Sequence, residues 1–487
     1  MSRRAWMAIV TLLGVLLVAA GAGAAATGNR RLMMLAVCVC VLPLLCFALM
    51  KRPGVLAAIP GIVLGFMPFA AVPGTGFPLV IALTLVLIVL AVVHPSRDVP
   101  KIGPLGVMVA CYLLFSLISA VATYHGSQTL VEYAKWALAM GAMVIVLLME
   151  VSLRRILFGA YGNAAAVGAL FSVGMLLVDR SGSWVNRFSF LGYGGSIAVN
   201  ERTASVGGSV VARAAGLYVD PNSAGLFFLF AIAVAAYALR GTLLVLVLGA
   251  LSIGVLATLS RAAIASLLLA AAFALFFSKI SAGKRFVGSV LLFSGVFAAF
   301  MVPAVSSRLF DSFGSGDIGC TARIDALRRY PGHMSGNWFF GRGWDLREFS
   351  DPFYGYTINH AANTPLIVVY RAGLLTGVVF VIVLIIALVL GFRAMRAGRH
   401  GAALQTGVLF ALVLIAFQLD FPVVTMPPLA MAFALVLASI QSQAIETATR
   451  DRIGDGQYTK VIEAYSAPAY AVTPAGPRAL TEENVAW

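Results

Sequence analysis

Long, uninterrupted apolar runs constrain this chain more than any other feature. Roughly fourteen of them approach the ~20 residues that carry an α-helix across the hydrocarbon of a bilayer. They fall near 6–27, 31–50, 54–72, 77–94, 102–123, 129–151, 156–178, 223–239, 241–259, 262–279, 285–303, 364–392, 402–418 and 425–443. Of 487 residues, 61% are hydrophobic and 11% charged, which excludes an ordinary soluble domain. The runs are continuous rather than alternating, so barrel strands are excluded too. The expected fold class is all-α, a polytopic integral membrane protein with roughly 12–14 transmembrane helices.

The formal net charge of +15 is not a nucleic-acid signal, because the cations sit between the spans. Lys51 and Arg52, Arg97 and Lys101, Arg154 and Arg155, Arg240, Lys279 with Lys284 and Arg285, and Arg393 with Arg396 and Arg399 fall in every second loop. Those loops are cytoplasmic by the positive-inside rule, and so are both termini. Arg30 and Arg31 break the pattern. The two long loops, 179–222 and 304–362, then face outward. The chain divides into N-terminal helices 1–178, loop 179–222, helices 223–303, loop 304–362, helices 363–443 and a tail 444–487. The Pro- and Gly-bearing, mixed-charge tail is expected to be disordered.

The first span also resembles a secretory signal, with Arg3 and Arg4 before an apolar core and small residues from Ala20 to Ala26. An uncleaved first helix is the preferred reading. Cys38, Cys40, Cys46 and Cys111 read as small core hydrophobes, and Cys320 stands alone in an outward loop. No Walker A loop, zinc motif or nucleophile elbow occurs, so the sequence calls for no metal or cofactor. Internal repeats of the kind found in many transporters are not evident.

Three outward elements carry chemistry. The first loop closes with Val211-Ala-Arg213-Ala-Ala-Gly216-Leu-Tyr-Val-Asp220-Pro221-Asn222-Ser-Ala-Gly225. Asp220-Pro221-Asn222 reads as a helix start, with Asp220 or Asn222 as cap. Arg213 is either a solvated loop residue or a bidentate partner for phosphate. The second element, Thr258-Leu-Ser260-Arg261-Ala-Ala, puts Arg261 at the turn between two apolar helices, either snorkelling or facing the bundle. The third element is loop 304–362 with the start of the next helix. Thr321-Ala-Arg323-Ile-Asp-Ala-Leu reads as a short amphipathic helix, and Asn337-Trp-Phe-Phe-Gly341-Arg-Gly343-Trp344 as a glycine-permitted turn. Tyr356-Thr-Ile-Asn359-His360-Ala-Ala-Asn363-Thr-Pro365-Leu then leads to Arg371-Ala-Gly373-Leu-Leu-Thr-Gly377. The His360 imidazole titrates near neutral pH and suits proton transfer, although a lone loop histidine is more often structural or solvated. Charge at membrane depth is costly and usually functional. Convergent Arg213 and Arg261 with His360 point to an anionic substrate.

These pieces resemble the O-antigen ligase and O-antigen polymerase superfamily of bacterial envelopes. The resemblance spans about Arg213 to Gly377. It rests on Arg213-x-x-Gly216 followed by Asp220-Pro221-Asn222, on Ser260-Arg261, on Arg323, on Phe340-Gly341-x-Gly343, and on His360-x-x-Asn363 ahead of Gly373-Leu-Leu-Thr-Gly377. It implies a metal-independent glycosyltransferase of the inner membrane, its active site facing the periplasm, with no cofactor. The donor would be an undecaprenyl diphosphate-linked oligosaccharide, and the acceptor a glycan or the lipid A core. Arg213, Arg261 and Arg323 would hold the diphosphate, supported by Asp220, Asn222 and Asn363, and His360 would deprotonate the acceptor hydroxyl. The family often has histidine directly before the asparagine. Here Ala362 holds that place, which leaves His333 as the alternative base, and Arg371 stands where the family often has an acid. The extra helices favour a polymerase. A ligase and a non-enzymatic flippase or exporter are the alternatives.

Overall fold

The structure is a computed structural model that describes residues 52–73, 77–96, 102–179, 183–193, 203–206, 209–218, 220–301, 318–344, 363–417 and 426–453. The chain is an all-α polytopic membrane protein. Its helices are α1 (Pro53–Phe66), α2 (Leu79–Val93), α3 (Gly103–Ala122), α4 (Ser127–Leu148), α5 (Val151–Val178), α6 (Pro221–Ala238), α7 (Gly241–Ala257), α8 (Arg261–Phe277), α9 (Ala282–Met301), α10 (Ile318–His333), α11 (Thr364–Arg396), α12 (Ala402–Ala416) and α13 (Pro427–Ile453). Among the described residues, α3, α4, α5, α6, α11 and α13 are long and apolar enough to cross a membrane, and α1, α2, α7, α8 and α12 are shorter apolar helices. Every expected span from 54–72 onward carries a helix. The runs 6–27 and 31–50, with Cys38, Cys40 and Cys46, lie outside the described residues.

Some boundaries differ from the hydropathy reading. α1 ends at Phe66 rather than near 72, because Pro68 biases the preceding residue away from helix. The last helix runs past 443 to Ile453, which shortens the expected tail. Polar residues need not end a nucleated helix, and after Pro428 the next glycine or proline is Gly454. The first long loop holds a short 3-10 segment, Ser183–Leu191, and an antiparallel hairpin, β1 (Thr203–Val206) with β2 (Ser209–Ala212). The second holds α10, longer than the short helix expected.

α6 and α13 form the centre, nearly buried along their apolar lengths, with Phe230 against Phe433 at 5.9 Å. Small residues let neighbouring backbones close in. Gly61 and Gly65 of α1 lie so near α5 that an added Cβ would be 2.6 Å from the Leu157 and Tyr161 carbonyl oxygens.

The turns divide between two ends of the bundle. At one end, the α11–α12 turn presses on the end of α6, where a Cβ on Gly401 would meet the Ala236 oxygen at 1.8 Å. The side chain of Lys279 lies across Gly398, and Gln443 Nε2 donates to the His400 carbonyl at 2.9 Å. Arg154 Nη1 donates to Ser442 Oγ at 3.3 Å at this end. Burial, and then the Arg240 cation, lower the His400 pKa, so the charge here rests on arginine and lysine at neutral pH. This basic end gathers turns whose cations were read as cytoplasmic. The opposite end carries Arg213, the starts of α6, α8 and α11, and the end of α12.

Candidate functional site

The site is built where α6 and α8 begin. Asp220 is extended, and its Oδ1 accepts from Asn222 N at 2.8 Å and Ser223 N at 3.0 Å. Pro221 occupies the first helical position, which needs no donor. Asp220 is therefore the cap, and the Asn222 side chain serves another group. Its Oδ1 accepts from Arg213 Nη2 at 2.8 Å, while Arg213 Nε donates to the Thr258 carbonyl at 2.8 Å. Ala214 N also donates to the Ala257 carbonyl at 2.9 Å. Arg213 is only 9% exposed, so the reading of a solvated loop residue is corrected. The strand β2 delivers Arg213 to this position directly from Ala212. Asp220→Ala should lower stability by about 0.5–2 kcal/mol through loss of the cap, and Asp220→Asn should recover most of it in thermal unfolding.

The α7–α8 turn is shaped to meet Arg213. Thr258 Oγ1 donates to the Val255 carbonyl at 2.7 Å and accepts from Ser260 N at 3.2 Å. Leu259 takes φ +49°, an unusual left-handed conformation for leucine. Ser260 is extended, and Arg261 is the half-buried first residue of α8. A cation at a helix N-terminus opposes the macrodipole, at a cost of about 0.3–1 kcal/mol at exposed positions. The two helix starts adjoin: a Cβ on Gly225 would lie 2.6 Å from Ala263 Cβ and 3.4 Å from Thr258 Oγ1. Arg213, Asp220, Asn222 and Arg261 thus share one small region, all cationic except the capping carboxylate and the amide.

Asn363 caps α11, its Oδ1 accepting from Leu366 N at 3.1 Å and its Nδ2 donating to the Phe417 carbonyl at 3.0 Å. Ser223 Oγ lies 3.8 Å from Met426 Sδ. The starts of α6 and α11 therefore flank the two ends of the α12–α13 connection, and α12 packs against α6, α8 and α11. Arg323 lies on α10. His360 lies outside the described residues. His333 ends α10 and is exposed, its carbonyl accepting from Arg342 Nη1 at 3.4 Å.

Sequence reasoning missed how the second loop is held. Helix α11 breaks at Gly373, with φ +84° and ψ 169°. The segment from Trp338 to Gly343 fills the break. Arg342 N donates to the Tyr370 carbonyl at 2.6 Å, Gly343 N to that of Arg371 at 3.2 Å, and Leu374 N to that of Trp338 at 2.8 Å. Ser119 Oγ of α3 donates to the Phe340 carbonyl at 2.6 Å. A Cβ on Gly341 would meet Ala372 N at 2.7 Å, so this approach requires glycine. Trp344 packs at a tilt against Trp136, ring centres 4.6 Å apart, and the Arg371 guanidinium lies 5.9 Å from the Trp344 ring centre. The glycines were visible in the sequence, but nothing local pairs one motif with the other. Compared with protein-family models and with curated proteins, the chain matches none.

Proposed function

We propose that this chain is a metal-independent membrane glycosyltransferase of the O-antigen polymerase and ligase type. It moves a glycan from an undecaprenyl diphosphate donor to an acceptor hydroxyl, most consistently as a polymerase. The observation that carries the reading is the placement of Arg213 and Arg261 at two adjoining helix starts. The Arg213 guanidinium is buried and fixed by Thr258 and Asn222, and Arg261 is the first residue of α8. Such placement suits an anion with several oxygens.

In the transfer, the bond between the anomeric carbon and the diphosphate oxygen breaks, and its electron pair goes to the diphosphate. The acceptor oxygen forms the new bond and gives its proton to the base. Guanidinium groups fixed beforehand stabilise the growing charge without reorganising, each by about 3–4 kcal/mol where well placed. A positioned base adds about 100- to 10,000-fold. A flippase would need charged groups along a path through the bilayer. Among the described residues, the buried charged side chains are Arg154, Asp179 and Arg213, and each lies at a helix end or in a loop. Among the described residues, none of these buried charges lies in the middle of a span, which favours an enzyme working at a membrane surface over a path through the bilayer.

Transfer from a lipid-diphosphate donor by purified protein, with EDTA present, tests the reading. EDTA should leave the rate unchanged. His360→Ala should abolish transfer while donor binding survives, and His333→Ala should be mild; an active His360→Ala beside an inactive His333→Ala would reassign the base to His333. Reporters fused near 190 and 340 should read periplasmic, and those near 282 and 397 cytoplasmic. A cytoplasmic signal at 340 would contradict the proposed orientation.

A further inference from the structure

The hydropathy pattern makes all of 304–362 an outward-facing loop between spans. The segment Met334–Trp344 instead folds back onto α3 and α11, and it presents large apolar side chains outward. Phe339 is 72% exposed, Phe340 44% and Trp338 40%. On either side of this ridge lie exposed apolar residues of two transmembrane helices, Ile118 and Val121 of α3 and Leu374 and Leu375 of α11. The junctions are direct, through Ser119 to the Phe340 carbonyl and Leu374 N to the Trp338 carbonyl. The ridge therefore continues the apolar band those helices turn toward lipid.

We infer that the Trp338–Phe340 ridge is embedded in the bilayer at the arginine-bearing end of the bundle, with lipid chains as its partner. Non-helical backbone is tolerated at membrane depth only where the protein satisfies its polar groups. This segment meets that condition at its key amides and carbonyls. Asn337 N donates to Met334 O, Gly341 N to Asn337 O, and Arg342 and Gly343 N to the carbonyls that the α11 break releases. The carbonyls of Trp338 and Phe340 are also taken. The segment also packs against α4: Trp344 lies at a tilt against Trp136, one residue beyond the Glu132–Lys135 ion pair at 2.7 Å, the level at which interfacial aromatics sit. Asn337 and Arg342 flank the ridge, as polar residues do beside interfacial aromatics. The consequence is that α10, which carries Arg323, is tied to the membrane surface. This inference rests on the membrane fold and stands whether or not the chain transfers glycans.

Spin-label accessibility in proteoliposomes tests it. The five native cysteines are first replaced by alanine in the full chain. Labels are then placed through Phe339→Cys and Phe340→Cys, with Leu246→Cys on the exposed face of α7 as the lipid reference and Arg329→Cys on α10 as the water reference. The expected ratio of oxygen to nickel-chelate collision at 339 and 340 matches that at 246 and exceeds that at 329 several-fold. A ratio matching 329 at both positions would overturn the inference in favour of water. Labels shielded from both reagents would overturn it in favour of a protein partner, including a second copy of this chain.

Discussion

Arg261→Ala should lower glycan transfer by about 100- to 1,000-fold, the loss expected when one fixed electrostatic donor is removed from a developing anion. Alanine favours helix and the substitution relieves a cation at the start of α8, so any fall in stability measures the contacts that Arg261 itself makes. Arg261→Lys should recover only part of the rate, because an ammonium cannot reproduce a bidentate fork. Transfer rate and thermal unfolding of the same preparations check this. Near-normal transfer by Arg261→Ala would indicate an interfacial, snorkelling role instead. Arg213 is a less clean probe. Its guanidinium bonds Thr258 O and Asn222 Oδ1, so truncation also strands the buried Thr258 carbonyl, at about 1–3 kcal/mol.

That contrast shows what the sequence could and could not convey. Hydropathy located the spans because a bilayer demands length and apolarity, and both are local properties. The start of α6 was legible for the same reason, since Asp220-Pro221 encodes its own geometry. The partner of Arg213 was not legible, because a backbone carbonyl at Thr258 has no residue signature and lies 45 positions away. The hairpin before Arg213 did leave a signal. The sequence Gly207-Gly208 is a hairpin-turn signal that apolar-run counting passes over. The docking of the Gly341 segment into the break at Gly373 joins two motifs that are each weak alone, and only the fold brings them together.

Gly373→Ala should be the most damaging single-methyl change. The backbone there occupies a region open essentially only to glycine, at about 1–3 kcal/mol for any other residue. The new Cβ would also fall 1.9 Å from the Phe339 carbonyl oxygen, which has nowhere to retreat while Leu374 N holds the adjacent Trp338 carbonyl. Expelling the segment would leave the Tyr370 carbonyl unmet and the Arg371 carbonyl with Ser119 Oγ alone, so the total loss should reach about 3 kcal/mol or more. Thermal unfolding in detergent should report that loss. Hydrogen exchange at Arg342, Gly343 and Leu374 should accelerate ahead of the rest of α11. Wild-type stability and protection would mean that the break is not held by this segment.

In the proposed function, bond formation rather than passage of a lipid-linked glycan occurs at the end of the bundle that carries Arg213 and Arg261. The most direct measurement reconstitutes the purified chain in vesicles with a short glycan on undecaprenyl diphosphate as both donor and acceptor, and follows product length and free undecaprenyl diphosphate together. Longer lipid-linked glycans are expected, with one undecaprenyl diphosphate released for each new glycosidic bond. Movement of unaltered donor between leaflets, with no lengthening and no release, would contradict it.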